Sequence, residues 1–222
     1  MSLIIDHTSP AYIDARNKIG RHRYNGAYYY SIEIVGNIIP NVKTDRNWIT
    51  IGSGQKCLDH SIFFVHNNMN FEERYEFTKK YKDVVYIVGL PDMVERAEKF
   101  GKTIYLPLSI DVEYVKSFKK KFRHKKAALV GRPVSKWMEK GYIIPNGIDI
   151  LSGMPRDELL TKMSDYEKVY AIGRCAIEAK VLGCEVLPFH PRLMNPDLWQ
   201  VLDNRDAAEI LQKKLNEIDG GD

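Results

Sequence analysis

The sequence lacks several features that would assign it to a class at once. No apolar run approaches the roughly 20 residues that a transmembrane helix needs. The amino-terminal residues lack the basic, apolar and small-residue regions of a signal peptide. The three cysteines, Cys57, Cys175 and Cys184, form no Cys-x-x-Cys pair, so we expect neither a disulfide framework nor a zinc site. We therefore expect a protein of the reducing cytoplasm with no membrane span.

Two motifs of nucleotide chemistry are also missing. No Gly-x-Gly-x-x-Gly follows the first predicted strand, which argues against a dinucleotide oxidoreductase. No Asp-x-Asp occurs in the sequence, so nothing calls for a metal ion on a diphosphate. We expect no metal site and no cofactor.

The composition is that of a globular chain, with 44% hydrophobic and 28% charged residues among 222. The net charge of +4 is unevenly distributed, because residues 116–126 contain seven lysines and arginines and no acidic residue. Such a run attracts anionic partners, nucleic acid included, but it is equally typical of a solvated helix face or a linker. Phe118 and Phe122 are the only aromatic side chains among these basic residues, so the signal for single-strand stacking is weak.

Short apolar runs alternate with amphipathic segments along the chain. Predicted strands cover residues 3–5, 48–51, 61–65, 84–88, 103–106, 127–130, 142–144, 168–171 and 185–188. Predicted helices cover residues 26–38, 71–81, 91–100, 111–122, 155–163, 174–182 and 203–218. This alternation predicts an α/β fold in which parallel sheets are covered on both faces. The basic run separates two strand–helix series, which predicts two Rossmann-like lobes, residues 1–120 and 121–222.

The most informative segment is residues 169–188, with the sequence Val-Tyr-Ala-Ile-Gly-Arg-Cys-Ala-Ile-Glu-Ala-Lys-Val-Leu-Gly-Cys-Glu-Val-Leu-Pro. It predicts a strand, a tight turn at Gly173, a helix and another strand. The amides of Arg174, Cys175 and Ala176 would then open a helix, where unpaired N–H groups and the helix dipole favour an anion. The Arg174 guanidinium suits phosphate oxygens, and a carboxylate at Glu178 suits ribose hydroxyls. The alternative is an ordinary strand–helix unit with an Arg174–Glu178 surface ion pair.

The segment resembles the donor-binding motif of GT-B-fold glycosyltransferases, in which a glycine turn precedes a helix containing Glu-Ala and then a glycine. Two further segments agree, in the order that this family uses. Residues 106–118 resemble its interdomain segment, and residues 127–133 resemble the first strand of its C-terminal lobe, which ends in Gly-Arg. The resemblance implies that Arg132, with a lysine further on, contacts the donor diphosphate, and Lys136 and Lys140 compete for that lysine.

The N-terminal lobe resembles the family only loosely. Asn25 and Gly26 match a glycine-containing loop that faces the donor phosphates, although Asn-Gly also fits a simple turn. His66 and Asp6 follow predicted strands, at the strand ends where ligands bind in this fold. Either side chain is a candidate for the base that an inverting reaction needs, and a lone histidine is also commonly structural.

The resemblance implies a metal-independent glycosyltransferase that takes a nucleotide-diphosphate sugar as donor and transfers the sugar to an acceptor hydroxyl. One departure stands against it, because Tyr170 occupies the position of an acidic residue that retaining members carry eight positions before the helix glutamate. Two alternatives remain open. One is a non-catalytic nucleotide- or glycan-binding module, and the other is a nucleic-acid-modifying transferase whose basic run holds a DNA acceptor.

Overall fold

The computed structural model describes residues 3–4, 26–50, 57–65, 71–131, 145–190, 193 and 195–220. The chain forms two compact units. Unit 1 comprises Met1–Pro107 together with Asn204–Asp222, and unit 2 comprises Leu108–Asp203. Each unit contains one parallel β-sheet with helices, so the protein has the α/β, Rossmann-like class that the sequence predicts.

The strands and helices alternate along both units. The strands are β1 (Leu3–Ile4), β2 (Asn47–Ile49), β3 (Ser61–Val65), β4 (Val84–Val88), β5 (Lys102–Tyr105), β6 (Lys125–Val130), β7 (Asp149–Leu151), β8 (Tyr166–Tyr170) and β9 (Glu185–Leu187). The α-helices are α1 (Gly26–Glu33), α2 (Phe71–Tyr75), α3 (Val94–Glu98), α4 (Val112–Lys116), α5 (Arg156–Met163), α6 (Arg174–Leu182) and α7 (Asn204–Asp219). Within the described ranges, no helix has the length and apolar character needed to cross a bilayer.

The division into units differs from the boundary that the sequence predicts at residue 120. The chain enters unit 2 at Leu108, and helix α7 belongs to unit 1 rather than to the carboxyl-terminal lobe. The Ile110 amide donates a hydrogen bond to the Leu202 carbonyl at 3.1 Å, so the segments that enter and leave unit 2 lie side by side. Chain order alone assigns a terminal helix to the lobe that precedes it. The contacts that place α7 in unit 1 join residues about 170 positions apart, so no local pattern in the sequence reveals them.

The sheet of unit 1 has its five strands in chain order, β1-β2-β3-β4-β5, and each neighbouring pair is parallel. Every residue of β3 and β4 is buried, as continuous apolar runs predict for a covered parallel sheet. Aromatic side chains pack on both faces of this sheet, because Phe63 and Phe64 are consecutive residues of β3 and point to opposite sides. Trp48 stacks on Phe64 with ring centroids 6.2 Å apart, and Phe63 meets the edge of Tyr75 at 5.6 Å.

Helix α7 is held in unit 1 along its whole length. Its buried side chains are those of Ala207, Ala208, Leu211 and Leu215, together with Asn204 at its first position. The Asn204 amide donates a hydrogen bond to Glu33 of α1 at 2.9 Å, and both side chains are buried. The helix therefore completes the core of unit 1.

A cluster of charged side chains, which we call the Arg46 cluster, lies where β2, β3 and β4 begin. Arg46 is 2% exposed and donates hydrogen bonds to Asp219 of α7 and to Asp83, just before β4. The same Asp83 carboxylate contacts His60 Nδ1 at 2.6 Å, and His60 Nε2 contacts Asp45 at 3.0 Å. His60 and Asp83 have left-handed backbones, with φ of 49° and 53°. The cluster thus connects three loops of the sheet to α7.

The stability of unit 1 is expected to depend on the protonation of His60. Hydrogen bonds to Asp83 and Asp45 raise the pKa of His60, so its contribution is fully present below the ordinary histidine pKa of about 6.5 and is lost as pH rises through the folded value. We expect the stability difference between the native chain and His60→Asn to shrink between pH 5.5 and 8.5. Because the imidazole is 43% exposed, solvent screening keeps the change below about 1 kcal/mol.

Urea denaturation at several pH values measures this difference. Asparagine tolerates the left-handed backbone at this position, so the substitution removes the titrating group without adding backbone strain. The pKa of Asp45 is lowered, chiefly by its hydrogen bond with His60, and such a carboxylate loses its contribution only as pH falls through the lowered value, outside this window. A difference that stays constant from pH 5.5 to 8.5 contradicts the assignment.

The sheet of unit 2 has the order β7-β6-β8-β9, with every neighbouring pair parallel. Its first strand in the chain, β6, is therefore internal, with β7 on one side and β8 on the other. The chain moves outward in one direction from β6 to β7 and then crosses to the opposite side for β8 and β9. This reversal is a topological switch point between β6 and β8, the position at whose carboxyl ends open α/β sheets bind their ligands.

Most predicted strands are confirmed within one or two residues. Three predicted helices, 26–38, 71–81 and 91–100, are α-helical only in part and are completed by a π-helix (Ile34–Ile38) and by 3-10 helices (Glu76–Lys80 and Pro91–Met93). The prediction of helix over residues 111–122 is wrong beyond its first turns, because α4 ends at Lys116 and the following basic residues form a loop. The Asp111 side chain caps α4 by accepting from the Tyr114 amide at 2.9 Å. Strand β7 was not predicted, and the predicted strand at residues 142–144 lies outside the described residues.

Candidate nucleotide site

The candidate site lies at the carboxyl ends of β6 and β8 in unit 2. Gly131 directly follows β6, and Gly173 follows β8 after two residues. Leu129 pairs with Tyr170, so the two strands end beside each other. The two glycine loops that resemble donor-binding motifs are thus neighbours at the switch point, although 42 positions separate Gly131 from Gly173 in the sequence.

The turn at Gly173 depends on glycine. Its φ of 62° and ψ of −140° lie where residues with a Cβ are strained. The constraint is the backbone itself, since an added Cβ would meet only Leu108 at 4.0 Å. At the other end of α6, Gly183 has φ of 83° and closes the helix in the left-handed conformation. The predicted bounds of this helix, residues 174–182, are confirmed.

The sequence led us to expect unpaired amides at the first three positions of α6. In the structure, at least one of these three amides is occupied. The Ala176 amide donates to the Gly173 carbonyl at 3.0 Å, and the Ile177 amide donates to the same oxygen at 3.3 Å. The prediction is therefore wrong for Ala176, because the tight turn brings the Gly173 carbonyl within reach of the helix's own donors. Arg174 and Cys175 occupy the two positions before it, in the first turn.

Glu178 forms a buried ion cluster with two arginines. Its Oε1 atom accepts a hydrogen bond from Arg174 Nε at 2.9 Å and another from Arg156 Nε at 3.1 Å. The side chains of Glu178, Arg174 and Arg156 are 3%, 6% and 11% exposed. The i,i+4 ion pair that the sequence allows is present, but it is a buried cluster of three groups rather than a surface pair.

Three helices of unit 2 bring this cluster together, since α4 and α5 both pack against α6. The Arg156 guanidinium lies 5.0 Å above the Tyr114 ring of α4, a cation–π contact. The Tyr114 hydroxyl donates in turn to Asp157 on α5. The Glu178 carboxylate therefore orients two guanidinium groups, one on its own helix and one on the neighbouring helix.

Cys175 is partly exposed at the first turn of α6. The desolvation of its sulfur by surrounding protein atoms, together with the nearby Glu178 carboxylate, raises the pKa of this thiol to about 12. The thiol therefore stays protonated at neutral pH and is a poor nucleophile. Its place in the site is that of a small neutral side chain beside the helix amides.

The structure describes only part of the predicted site. Gly173, Arg174, Cys175, Ala176 and Glu178 lie together at the start of α6, and Gly26 begins α1 in unit 1. The other predicted residues, Asp6, Asn25, His66, Arg132, Lys136 and Lys140, lie outside the described residues.

Sequence reasoning missed Arg156. The available signal was the predicted helix at residues 155–163 between two predicted strands. In a parallel sheet such a helix begins near the carboxyl ends of the strands, so its first side chains lie at the edge where ligands bind. The sequence marked Arg156 only as part of a helix start after Pro155. Which side chain of α5 contacts Glu178 depends on how α5 packs against α6, which the sequence does not reveal.

Comparison with protein-family models, with curated proteins and with solved structures finds no match. The site itself, together with the motif resemblance, is therefore the basis for a functional proposal.

Proposed function

We propose that unit 2 binds the diphosphate of a nucleotide sugar at the carboxyl ends of β6 and β8, and that the protein is a metal-independent glycosyltransferase. One observation carries the proposal: the switch point of the sheet coincides with the two glycine loops that resemble the donor-binding motif. The crevice rule for open α/β sheets and the motif resemblance are independent arguments, and both lead to the same edge of the same sheet.

The chemistry follows from the charged groups at this edge. In glycosyl transfer the bond between the sugar carbon and the diphosphate breaks, and negative charge develops on the departing phosphate oxygens. The Arg174 guanidinium and the amides of Arg174 and Cys175 would stabilise this charge, and Arg132, which follows Gly131 in the sequence, would add a further cation. Glu178 acts as a positioning residue, because its buried carboxylate holds Arg174 and Arg156. Asp6 and His66 remain candidates for the base that removes the proton of the acceptor hydroxyl.

The second candidate is a binding module without transferase activity. Tyr170, which replaces the acidic residue of retaining members, is the last residue of β8 and lies half-buried next to the glycine turn. A phenol at this position leaves nucleotide binding intact but removes a carboxylate from the sugar side of the site. The two candidates therefore share a ligand and differ in turnover.

A thermal-shift screen tests the shared ligand. The chain is incubated with uridine, guanosine, cytidine and thymidine diphosphates and with their sugars. At a ligand concentration one hundred times Kd, the folded state gains about 2.7 kcal/mol, which gives a clear rise in Tm. A diphosphate or sugar nucleotide that stabilises the protein supports the site, and no shift with any of them rejects it. Release of the sugar to water or an acceptor then separates the transferase from the binding module.

Substitution of Arg132 tests the placement of the diphosphate. We expect Arg132→Ala to raise the Kd of the nucleotide diphosphate roughly ten- to a hundredfold, because a hydrogen bond to a charged group contributes about 1.5–3 kcal/mol. Isothermal titration calorimetry measures the change. Arg96→Ala is the matched control, since Arg96 is paired with Glu72 in unit 1 and should leave Kd unchanged. Equal Kd values for Arg132→Ala and the native chain would remove Arg132 from the site.

A further inference from the structure

The basic segment, residues 119–126, lies at the edge of the unit 2 sheet opposite to the candidate nucleotide site. Its last two residues, Lys125 and Lys126, begin β6, and the carboxyl end of this strand precedes Gly131. The six residues of β6 span about 20 Å. The segment is therefore too far from the glycine loops to hold the donor phosphates or to present an acceptor to them. Its concentrated positive charge needs another explanation.

Some of these basic side chains bind the segment to neighbouring elements of unit 2. Lys120 pairs with Asp165 at 2.5 Å, and Lys125 lies 3.2 Å from Asp149. Arg123 donates to the Leu182 carbonyl at 2.6 Å, which satisfies the carboxyl end of α6. Three cationic side chains thus contact unit 2 and fix the course of the loop.

The remaining side chains project into solvent. Lys119, Lys121 and Lys126 are exposed, and none of them forms an ion pair with any residue that the structure describes. Phe122 is 70% exposed, the most exposed of the large hydrophobic side chains described. The Lys121 ammonium lies 5.8 Å from the Phe122 ring. The basic segment therefore presents an exposed phenyl ring among lysines that form no ion pair within the described residues.

We propose that the basic segment is an attachment surface for a bilayer containing acidic phospholipid. Lysines attract the negative surface of such a bilayer, and each one near the surface raises partitioning roughly fivefold. Stable attachment needs a second, apolar contribution, and Phe122 supplies a side chain that can enter the interface. The alternative partner, single-stranded nucleic acid, is bound by several aromatic rings that stack successive bases, whereas this segment exposes one. Duplex nucleic acid takes up a phenyl ring only by unstacking a base step, which costs a few kcal/mol, whereas a bilayer interface accepts the ring without such a cost.

Sedimentation with vesicles tests the attachment. The full chain is mixed with vesicles of phosphatidylcholine alone or with 30% phosphatidylserine. We expect at least tenfold more partitioning to the acidic vesicles, and a steep loss between 50 and 300 mM salt. Lys121→Glu/Lys126→Glu should lower partitioning to acidic vesicles at least tenfold. Lys43→Glu/Lys213→Glu is the control with the same charge change on exposed lysines of unit 1, and it should retain most of the binding.

Phe122 gives a second readout that charge alone does not produce. With acidic vesicles, we expect a blue shift in the emission of Phe122→Trp relative to the native chain, and Phe122→Ser should reduce partitioning several-fold. Equal binding to both vesicle types, or full binding by the Lys121/Lys126 variant, would overturn the proposal. So would tight binding of a DNA or RNA oligonucleotide without binding to vesicles. Nucleotide Kd should be unaffected in these variants, so failure here leaves the proposed function standing.

Discussion

Replacing Glu178 with alanine is expected to lower the free energy of unfolding by about 3–5 kcal/mol. The carboxylate is 3% exposed and its Oε1 accepts from both Arg174 and Arg156. Removing it leaves two largely buried guanidinium groups without this counter-charge, and neither is placed to regain full hydration. The loss therefore reflects mainly the cost of buried charge rather than the net contribution of the intact cluster.

Urea or guanidinium denaturation followed by circular dichroism measures the loss. Glu217→Ala is the matched control, because Glu217 forms an exposed ion pair with Lys214 on α7, and its loss should have little effect on stability. Glu178→Gln keeps the shape and an acceptor oxygen and should cost less than the alanine variant. If Glu178→Ala is as stable as Glu217→Ala, then the arginines do not depend on this carboxylate.

The result also bears on the nucleotide proposal. As a positioning residue, Glu178 affects ligand binding through Arg174 and Arg156 rather than by direct contact. Glu178→Gln is therefore the variant for calorimetry, since it is expected to remain folded. We expect Glu178→Gln to raise the nucleotide Kd and Glu178→Asp to raise it less. This is the pattern of a residue that acts by orienting its partners.

Arg46→Met is expected to destabilise unit 1 by about 2–4 kcal/mol. Methionine keeps much of the aliphatic volume of Arg46 but removes its hydrogen bonds to Asp83 and Asp219. Breaking a fully buried ion pair costs about 3–5 kcal/mol. The expected loss is smaller for Arg46→Met, because the carboxylates of Asp83 and Asp219 are 39% and 37% exposed and are hydrated once the guanidinium is removed.

The second readout of Arg46→Met is local. Because Asp219 belongs to α7, the carboxyl-terminal turns of this helix should lose protection from amide hydrogen exchange before the strands do. Arg96→Met is the control, since Arg96 makes a comparable two-pronged contact with Glu72 at a more exposed position. A larger loss for Arg96→Met than for Arg46→Met would show that burial does not decide the strength of these pairs.

Local patterns in the sequence predicted much of the fold. Features within ten residues of each other were sufficient for β3, β4 and α6. Continuous apolar runs predicted the two buried strands, and a glycine at each end predicted the bounds of the helix. Local patterns did not predict the structure of the basic run. Its residues have the composition of a solvated helix, but α4 ends after one turn and the anchoring contacts of Lys120, Arg123 and Lys125 to other elements define a loop instead.

The candidate site was also predictable from the sequence only in part. The glycine turn at 173 and the Arg174–Glu178 spacing are visible in the sequence, because a helix places residues four positions apart on one face. The participation of Arg156 and the burial of the whole cluster were not visible. They depend on how α5 packs against α6, and no local pattern encodes which two helices of a sheet become neighbours.

The sequence by itself determined the α/β class, the parallel sheets and the glycine turn that opens α6, because these depend on side-chain periodicity and on backbone conformations open to glycine. Only the tertiary structure decided that α7 returns to unit 1, that β6 and β8 meet at a switch point, and that Glu178 is shared by two arginines. Each of these is a contact between residues distant in the chain, selected by the burial of apolar area and the pairing of buried charge across the whole fold.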